Sequence, residues 1–277
     1  MQTHTDANLT RQRKPDPTRP WKPDLKIALL LAILAGLATA ALVPYLMQMM
    51  PERFALIPVP LWVLVIAQAL QACVLLGVLS LLGLRMGHRT GLGAPLLQHW
   101  LNRQPLDKSA LKPLGSALIG ALAAMLVIGL SLAIDPLLPP MQHPPVDVGS
   151  GQSAFNGLLA SFYGGIAEEL QLRLFLMTLL VWIVARIKRA RPRDAIYWNA
   201  IIAAALLFGV GHLPAAGHVW GLDAMVVTRT VLLNAVAGVA FGWLYWKRGL
   251  EMAIVGHFAA DIVLHVLGPL LSTGASP

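Results

Sequence analysis

The 277-residue chain has one cysteine, Cys73, so an intrachain disulfide is excluded and no thiolate set can hold a metal. Charge is also scarce. Asp, Glu, Lys and Arg make up 12% of residues, about half the usual share in soluble domains. That poverty leaves no soluble domain. Neither residues 135–147 nor residues 214–223 contain a Lys or Arg. No His-Glu-x-x-His is present. No internal repeat or matching pair of interrupted helices supports the pseudosymmetry of secondary transporters. What remains is apolar: 57% of residues are hydrophobic, with several runs of about 18 residues or more, enough to cross a bilayer. The composition gives an all-α polytopic membrane protein of about seven transmembrane helices, and its few polar side chains are expected to line a cavity between the C-terminal four. The net charge of +8 does not point to nucleic acid, because the basic residues cluster in alternate loops.

Residues 1–26 read as a disordered basic arm against anionic headgroups, carrying Arg11, Arg13, Lys14, Arg19, Lys22 and Lys26. Residues 27–152 hold the N-terminal spans and loops, 153–268 the polar core, and 269–277 a short tail. The spans are expected at 27–47, 61–82, 114–134, 153–188, 196–213, 224–246 and 250–267. Ala38-Thr39-Ala40 resembles a signal-peptidase site, but the apolar run continues past it and reads as an uncleaved anchor. Leu96, Leu97 and Trp100 suggest a short helix on the membrane surface. The fourth span could begin near Ser153 as an N-cap. Unbroken, it would be about 54 Å long against a core of about 30 Å, so a break is expected at Gly164-Gly165. Residues 214–223 are expected to be loop, and Lys247-Arg248-Gly249 a tight turn. The Lys/Arg pattern places the N-terminus in the cytoplasm and the C-terminus outside.

Inside this apolar background, Glu168, Glu169 and Arg173 sit in one span. Ionisable groups there are costly and mark function by default. On an ideal helix Arg173 lies about 40° round from Glu169 and about 140° from Glu168. The spacing therefore predicts a Glu169–Arg173 pair and leaves Glu168 free for chemistry. Phe208 and His212 share one helix face, and His257 and Asp261 share another. Asp261 is expected to orient the His257 imidazole. Phe208 reads as packing that walls the site. His218 and His265 read as interfacial.

The three pairs together, Glu168-Glu169…Arg173, Phe208…His212 and His257…Asp261, resemble the CAAX-protease and bacteriocin-processing family of intramembrane endopeptidases. The resemblance covers about residues 153–267. It implies cleavage close to or within the bilayer, a catalytic Glu168, a His212 that helps activate water, and His257 and Asp261 stabilising the oxyanion. Glu169 is grouped with these catalytic residues, and Arg173 and Phe208 support them. Asp261 stands where eukaryotic prenyl-protein proteases have Asn. An ionised Asp would repel an oxyanion, so Asp261 must be protonated or act by orienting His257.

Glu168, His212 and His257 also make a His2Glu set of the kind that holds catalytic zinc. The residues favour Glu168 as a general base with no required metal, with zinc as the alternative. The substrate is expected to be a membrane-anchored or exported polypeptide: a prenylated CAAX-type C-terminus, a peptide precursor or a sorting tail. The partners are that polypeptide and the lipid bilayer, in a bacterial inner or plasma membrane. Two other classes stand beside this reading, a proton-coupled transporter and a non-enzymatic membrane scaffold or immunity protein. Counting from the basic loops places the polar groups in the outer half of the membrane.

Overall fold

The computed structural model describes residues 20–109 and 111–272. The arm at 1–19 and the tail from 273 lie outside the described residues. Among those described there is no strand, and seven helices are long and apolar enough to span a membrane: Trp21–Met49, Leu61–Thr90, Pro113–Leu137, Ser150–Lys188, Asp194–Trp220, Ala224–Arg248 and Leu250–Leu271. These are the first to seventh spans. The protein is an integral membrane protein.

The first span begins at Trp21, earlier than expected, so Lys22 and Lys26 belong to a helix. Pro20 precedes it and Asp24 lies in its first turn, where the helix dipole favours a carboxylate. Asp24 is buried and accepts from Arg85 at 3.1 Å and from Gln98 at 3.1 Å, with His88 at 2.8 Å. That carboxylate ties the first span to the end of the second and to the surface helix Pro95–Asn102. A short helix thus stands where one is expected, and Trp100 is exposed on it.

The first span packs against the second and the fourth, the fifth against the sixth, and the third against the seventh. The core is built from Leu31 and Ala35, Leu76 and Leu84, Leu170, Leu174 and Met177, Ile201 and Ala204, and Leu244 and Ala253. Small residues set the crossings, as helix packing in membranes requires. A Cβ at Gly120 would lie 1.8 Å from the Gly256 carbonyl oxygen, and one at Gly209 would lie 2.7 Å from Val231. A Cβ at Gly211 would meet nothing within 4 Å, so that glycine sets no crossing. The outward faces, with Ile66, Leu70, Val74 and Val78 on the second span, are exposed hydrocarbon, suited to lipid.

Four local expectations are corrected. The fourth span does not start at a Ser153 cap. It starts at Ser150 after Gly149, and the Ser153 hydroxyl accepts from Gln48 Nε2 at 2.8 Å. Nor does it break at Gly164-Gly165. It continues as a π-helix over Tyr163–Glu168 and again over Leu170–Met177. A break would leave backbone groups unpaired in hydrocarbon, whereas a widened helix keeps them bonded. The fifth span does not end in a loop at 214. After a bend at His212 it runs on as Leu213–Trp220, with Pro214 in the first turn, where its missing N–H costs nothing. Finally, Lys247 and Arg248 are the last helical residues of the sixth span, and Gly249 alone makes the turn at φ +89°. A side chain there would be strained.

Candidate active site

The fourth, fifth, sixth and seventh spans bring the expected residues together. Glu169 and Arg173 are buried, and Glu169 Oε1 lies 2.9 Å from Arg173 Nη1. The spacing argument for that pair holds. The pair is an electrostatic contact without hydrogen-bond alignment, since neither Arg173 Nη1 nor Glu169 Oε2 has a hydrogen-bond partner. Arg173 Nη2 donates to the Gly238 carbonyl at 3.1 Å, and the guanidinium lies over Phe208 and Phe241 at 5.2 and 5.4 Å. Those cation–π contacts and the carbonyl hold the charge in an otherwise apolar place.

The pair has a further partner that the spacing does not reveal. His257 Nδ1 lies 2.8 Å from Glu169 Oε1. A carboxylate facing a guanidinium accepts, so Nδ1–H donates and the other ring nitrogen is turned toward Glu168. His257 Nε2 is 3.6 Å from Glu168 Oε2 and 3.7 Å from Asp261 Oδ1. The last distance is too long for a hydrogen bond. The expectation that Asp261 orients His257 is thus corrected: Glu169 on the neighbouring span does so, because its carboxylate is already fixed by Arg173. Phe241 stacks on the imidazole, 4.2 Å between centroids and 18° between planes. No local motif marked Phe241; an aromatic in mid-span has no spacing signal of its own.

His212 is the hinge between the two helical parts of the fifth span. Its Nδ1 lies 2.9 Å from the Phe208 carbonyl. A carbonyl only accepts, so the proton sits on Nδ1 and Nε2 presents a lone pair. That Nε2 is 3.9 Å from Glu168 Oε1. Phe208 thus does more than pack: its backbone fixes the His212 tautomer, and its ring meets His212 edge-on at 4.7 Å.

Glu168 is the one carboxylate of the group with a route outward. Its side chain is 20% exposed and that of His212 37%. Both line a pocket of about 150 Å³ with Tyr163, Gln171, Leu207 and Gly211, between the fourth and fifth spans. His257 and Asp261 lie behind Glu168, outside that lining. A larger cavity of about 510 Å³ opens elsewhere, near Asp24, His88 and Arg248, and contains none of these residues. Its size does not outweigh the missing chemistry.

Gly164 explains how the groups fit. A Cβ there would lie 2.3 Å from Asp261 Oδ2 and 3.1 Å from His257 Nε2. The glycine seen in the sequence as a break is a gap that lets the seventh span's polar groups approach the fourth.

A metal between Glu168, His212 and His257 finds a looser set than a coordination shell. The two histidines face different oxygens of Glu168 at 3.9 and 3.6 Å. Among the described residues, the three-donor set gathered within 4.8 Å is a different one, Glu52, His143 and His218. The trio does not converge as zinc ligands do.

Residues 150–263 match the family model described as type II CAAX prenyl endopeptidase Rce1-like. All seven site residues fall in that segment. The segment is similar to this family of membrane proteases. Comparison with curated proteins and with solved structures gives no match.

Proposed function

We propose that the protein is an intramembrane endopeptidase in which Glu168 acts as the general base. The observation that carries this is the contrast between the two adjacent carboxylates. Glu169 is buried and committed to Arg173 and His257, while Glu168 faces the pocket with an imidazole nitrogen on either side. A water in the pocket would give its proton to Glu168, with the His212 Nε2 lone pair as a second acceptor. The water oxygen attacks the scissile carbonyl carbon. His257, when it carries a proton on Nε2, meets the developing oxyanion, and a protonated Asp261 adds a second donor. Glu168 then returns the proton to the leaving amine as the C–N bond breaks. Glu169 and Arg173 hold His257 in place, so Glu169 is a positioning residue in this scheme. The apolar walls Leu172 and Leu207 suit a substrate arriving sideways from lipid.

The test is a comparison of membrane proteomes from a deletion strain and a Glu168→Ala strain. Uncleaved precursors shared by the two are expected. An intact set of processed proteins in the Glu168→Ala strain would favour the scaffold reading instead.

The substrate side follows from charge. The site lies toward the connections that hold Arg53 and otherwise no Lys or Arg, and the dense basic stretch 186–193 is at the opposite end of the fourth span. By the positive-inside rule the site opens outward, which suits an exported or membrane-anchored polypeptide better than a cytoplasmic prenylated C-terminus. In a Cys73→Ser background, cysteines at Gly151 and Ala215, both exposed, are expected to react with an impermeant thiol reagent in intact cells. One at Ala190 is expected to stay unlabelled. Reversed labelling overturns the orientation and restores a CAAX-type substrate.

A further inference from the structure

A second cluster of titratable groups lies where the first-to-second and third-to-fourth connections meet the end of the fifth span. Glu52 is in the short helix Pro51–Ala55, His143 in the proline-rich stretch before the fourth span, and His218 in the helix that continues from His212. One donor atom of each lies within 4.8 Å of the others. We propose that Glu52, His143 and His218 form a binding site for a divalent zinc-type ion, with water completing the shell. The site is separate from Glu168 and its partners.

The hydrogen bonds prepare one imidazole for this. His143 Nδ1 lies 3.0 Å from the His218 carbonyl. The carbonyl accepts, so the proton is on Nδ1 and the Nε2 lone pair faces Glu52 Oε2 at 3.3 Å. A backbone carbonyl holding one ring nitrogen is how proteins fix the tautomer and angle of a metal-binding histidine. Zinc bonds of about 2.0–2.1 Å at tetrahedral angles put neighbouring donors about 3.3–3.4 Å apart. The His143–Glu52 separation already has that value.

His218 supplies the third observation. Its Nε2 is buried and has no hydrogen-bond partner. Its ring stacks on His143 at 4.7 Å with 8° between planes. A plain Glu52–His143 ion pair accounts for two of the groups and leaves this nitrogen unexplained. An ion beside the stack gives it a partner once the three groups, already within 4.8 Å of one another, close to a tetrahedral edge.

The backbone around the donors is already fixed. The amides of Gln142 and His143 donate to the Val219 carbonyl at 2.7 and 3.2 Å, and that of Val146 to the Gln48 carbonyl at 2.9 Å. Glu52 and His143 are 63% and 42% exposed, so an ion and its waters can enter. Bound there, the ion would join two connections to the end of the fifth span and hold the helix that starts one residue after His212.

The experiment uses the full chain without a polyhistidine tag, in detergent, with a Glu168→Gln substitution that removes the intramembrane carboxylate between His212 and His257. After chelation, the protein is titrated with Zn²⁺ and, as a spectroscopic probe, with Co²⁺. One equivalent is expected to bind and to raise the thermal midpoint. His143→Ala and His218→Ala are each expected to weaken binding about tenfold or more, while an added His257→Ala leaves it unchanged. Glu52→Gln, at an exposed position that cannot unfold the bundle, is expected to weaken it as well. The site is overturned by sub-stoichiometric zinc, by unchanged affinity in Glu52→Gln or His143→Ala, or by loss of the ion with His257→Ala.

Discussion

Glu168→Gln is expected to cut peptide-bond cleavage by about 10²–10⁴-fold while the thermal midpoint stays within a degree or two of the parent's. The size is that of losing a positioned general base. The fold should survive because Glu168 makes no short contact. Its histidine neighbours are at 3.6 and 3.9 Å, and its side chain is partly exposed, so the amide replaces it without a clash or a stranded charge. Cleavage of a precursor identified in the shared proteome, reconstituted in proteoliposomes, gives the rate. Unfolding in the same detergent gives the midpoint. A rate within about twofold of the parent's would remove Glu168 from the chemistry. A proton-coupled transporter would lose transport in the same variant without ever having shown cleavage.

Arg173→Ala should act on the fold as strongly as Glu168→Gln acts on rate. Removing the guanidinium leaves Glu169 charged in a fully buried place, a cost of about 3–5 kcal/mol. The Gly238 carbonyl loses its donor, and Phe208 and Phe241 lose the cation between them. Low yield of folded protein and a much lowered midpoint are expected, with no cleavage by what remains, because Glu169 also holds His257. Removing both charges separates the two effects. Glu169→Gln with Arg173→Met takes out the uncompensated ion, and such isosteric replacement of a buried pair is often near neutral. That double variant is expected to regain yield but not turnover. Normal yield and midpoint in Arg173→Ala alone would show that the pair carries no structural weight.

Seven spans, their order and the set of polar residues were legible in the sequence because each is a local property. Hydropathy runs give the spans, and one-turn spacing gives Glu169–Arg173, Phe208–His212 and His257–Asp261. What was not legible depends on which atoms meet across helices. Glu169 and His257 are 88 positions apart, and nothing on either helix says that this carboxylate, rather than the nearer Asp261, takes the ring nitrogen. The Phe241 stack and the tautomer of His143 are of the same kind. The errors at element ends have a different cause. Gly-Gly and Pro are read as interruptions because in water they are. In hydrocarbon the backbone must stay bonded, so Gly164-Gly165 became π-helix and Pro214 began a new helical segment. Asp24 and Lys26 fall in the polar, basic, proline-containing stretch that reads as an arm, whereas Asp24 is held by three partners that lie 61, 64 and 74 positions away.

The π-helical stretches over Tyr163–Glu168 and Leu170–Met177 carry a consequence for how this segment can change over time. Such a stretch is commonly one residue more than an α-helix needs for the same path. Deleting one residue between 163 and 168 would let the helix tighten, but would turn all that precedes it by about 100° relative to Arg173. The Gly164 gap would leave the seventh span, and a side chain would meet Asp261. Away from Gly164 and Glu168, substitution can be absorbed here one position at a time, but a change in length cannot. The stretch should therefore keep its residue count through lineages in which the loops on either side of the fourth span grow and shrink freely.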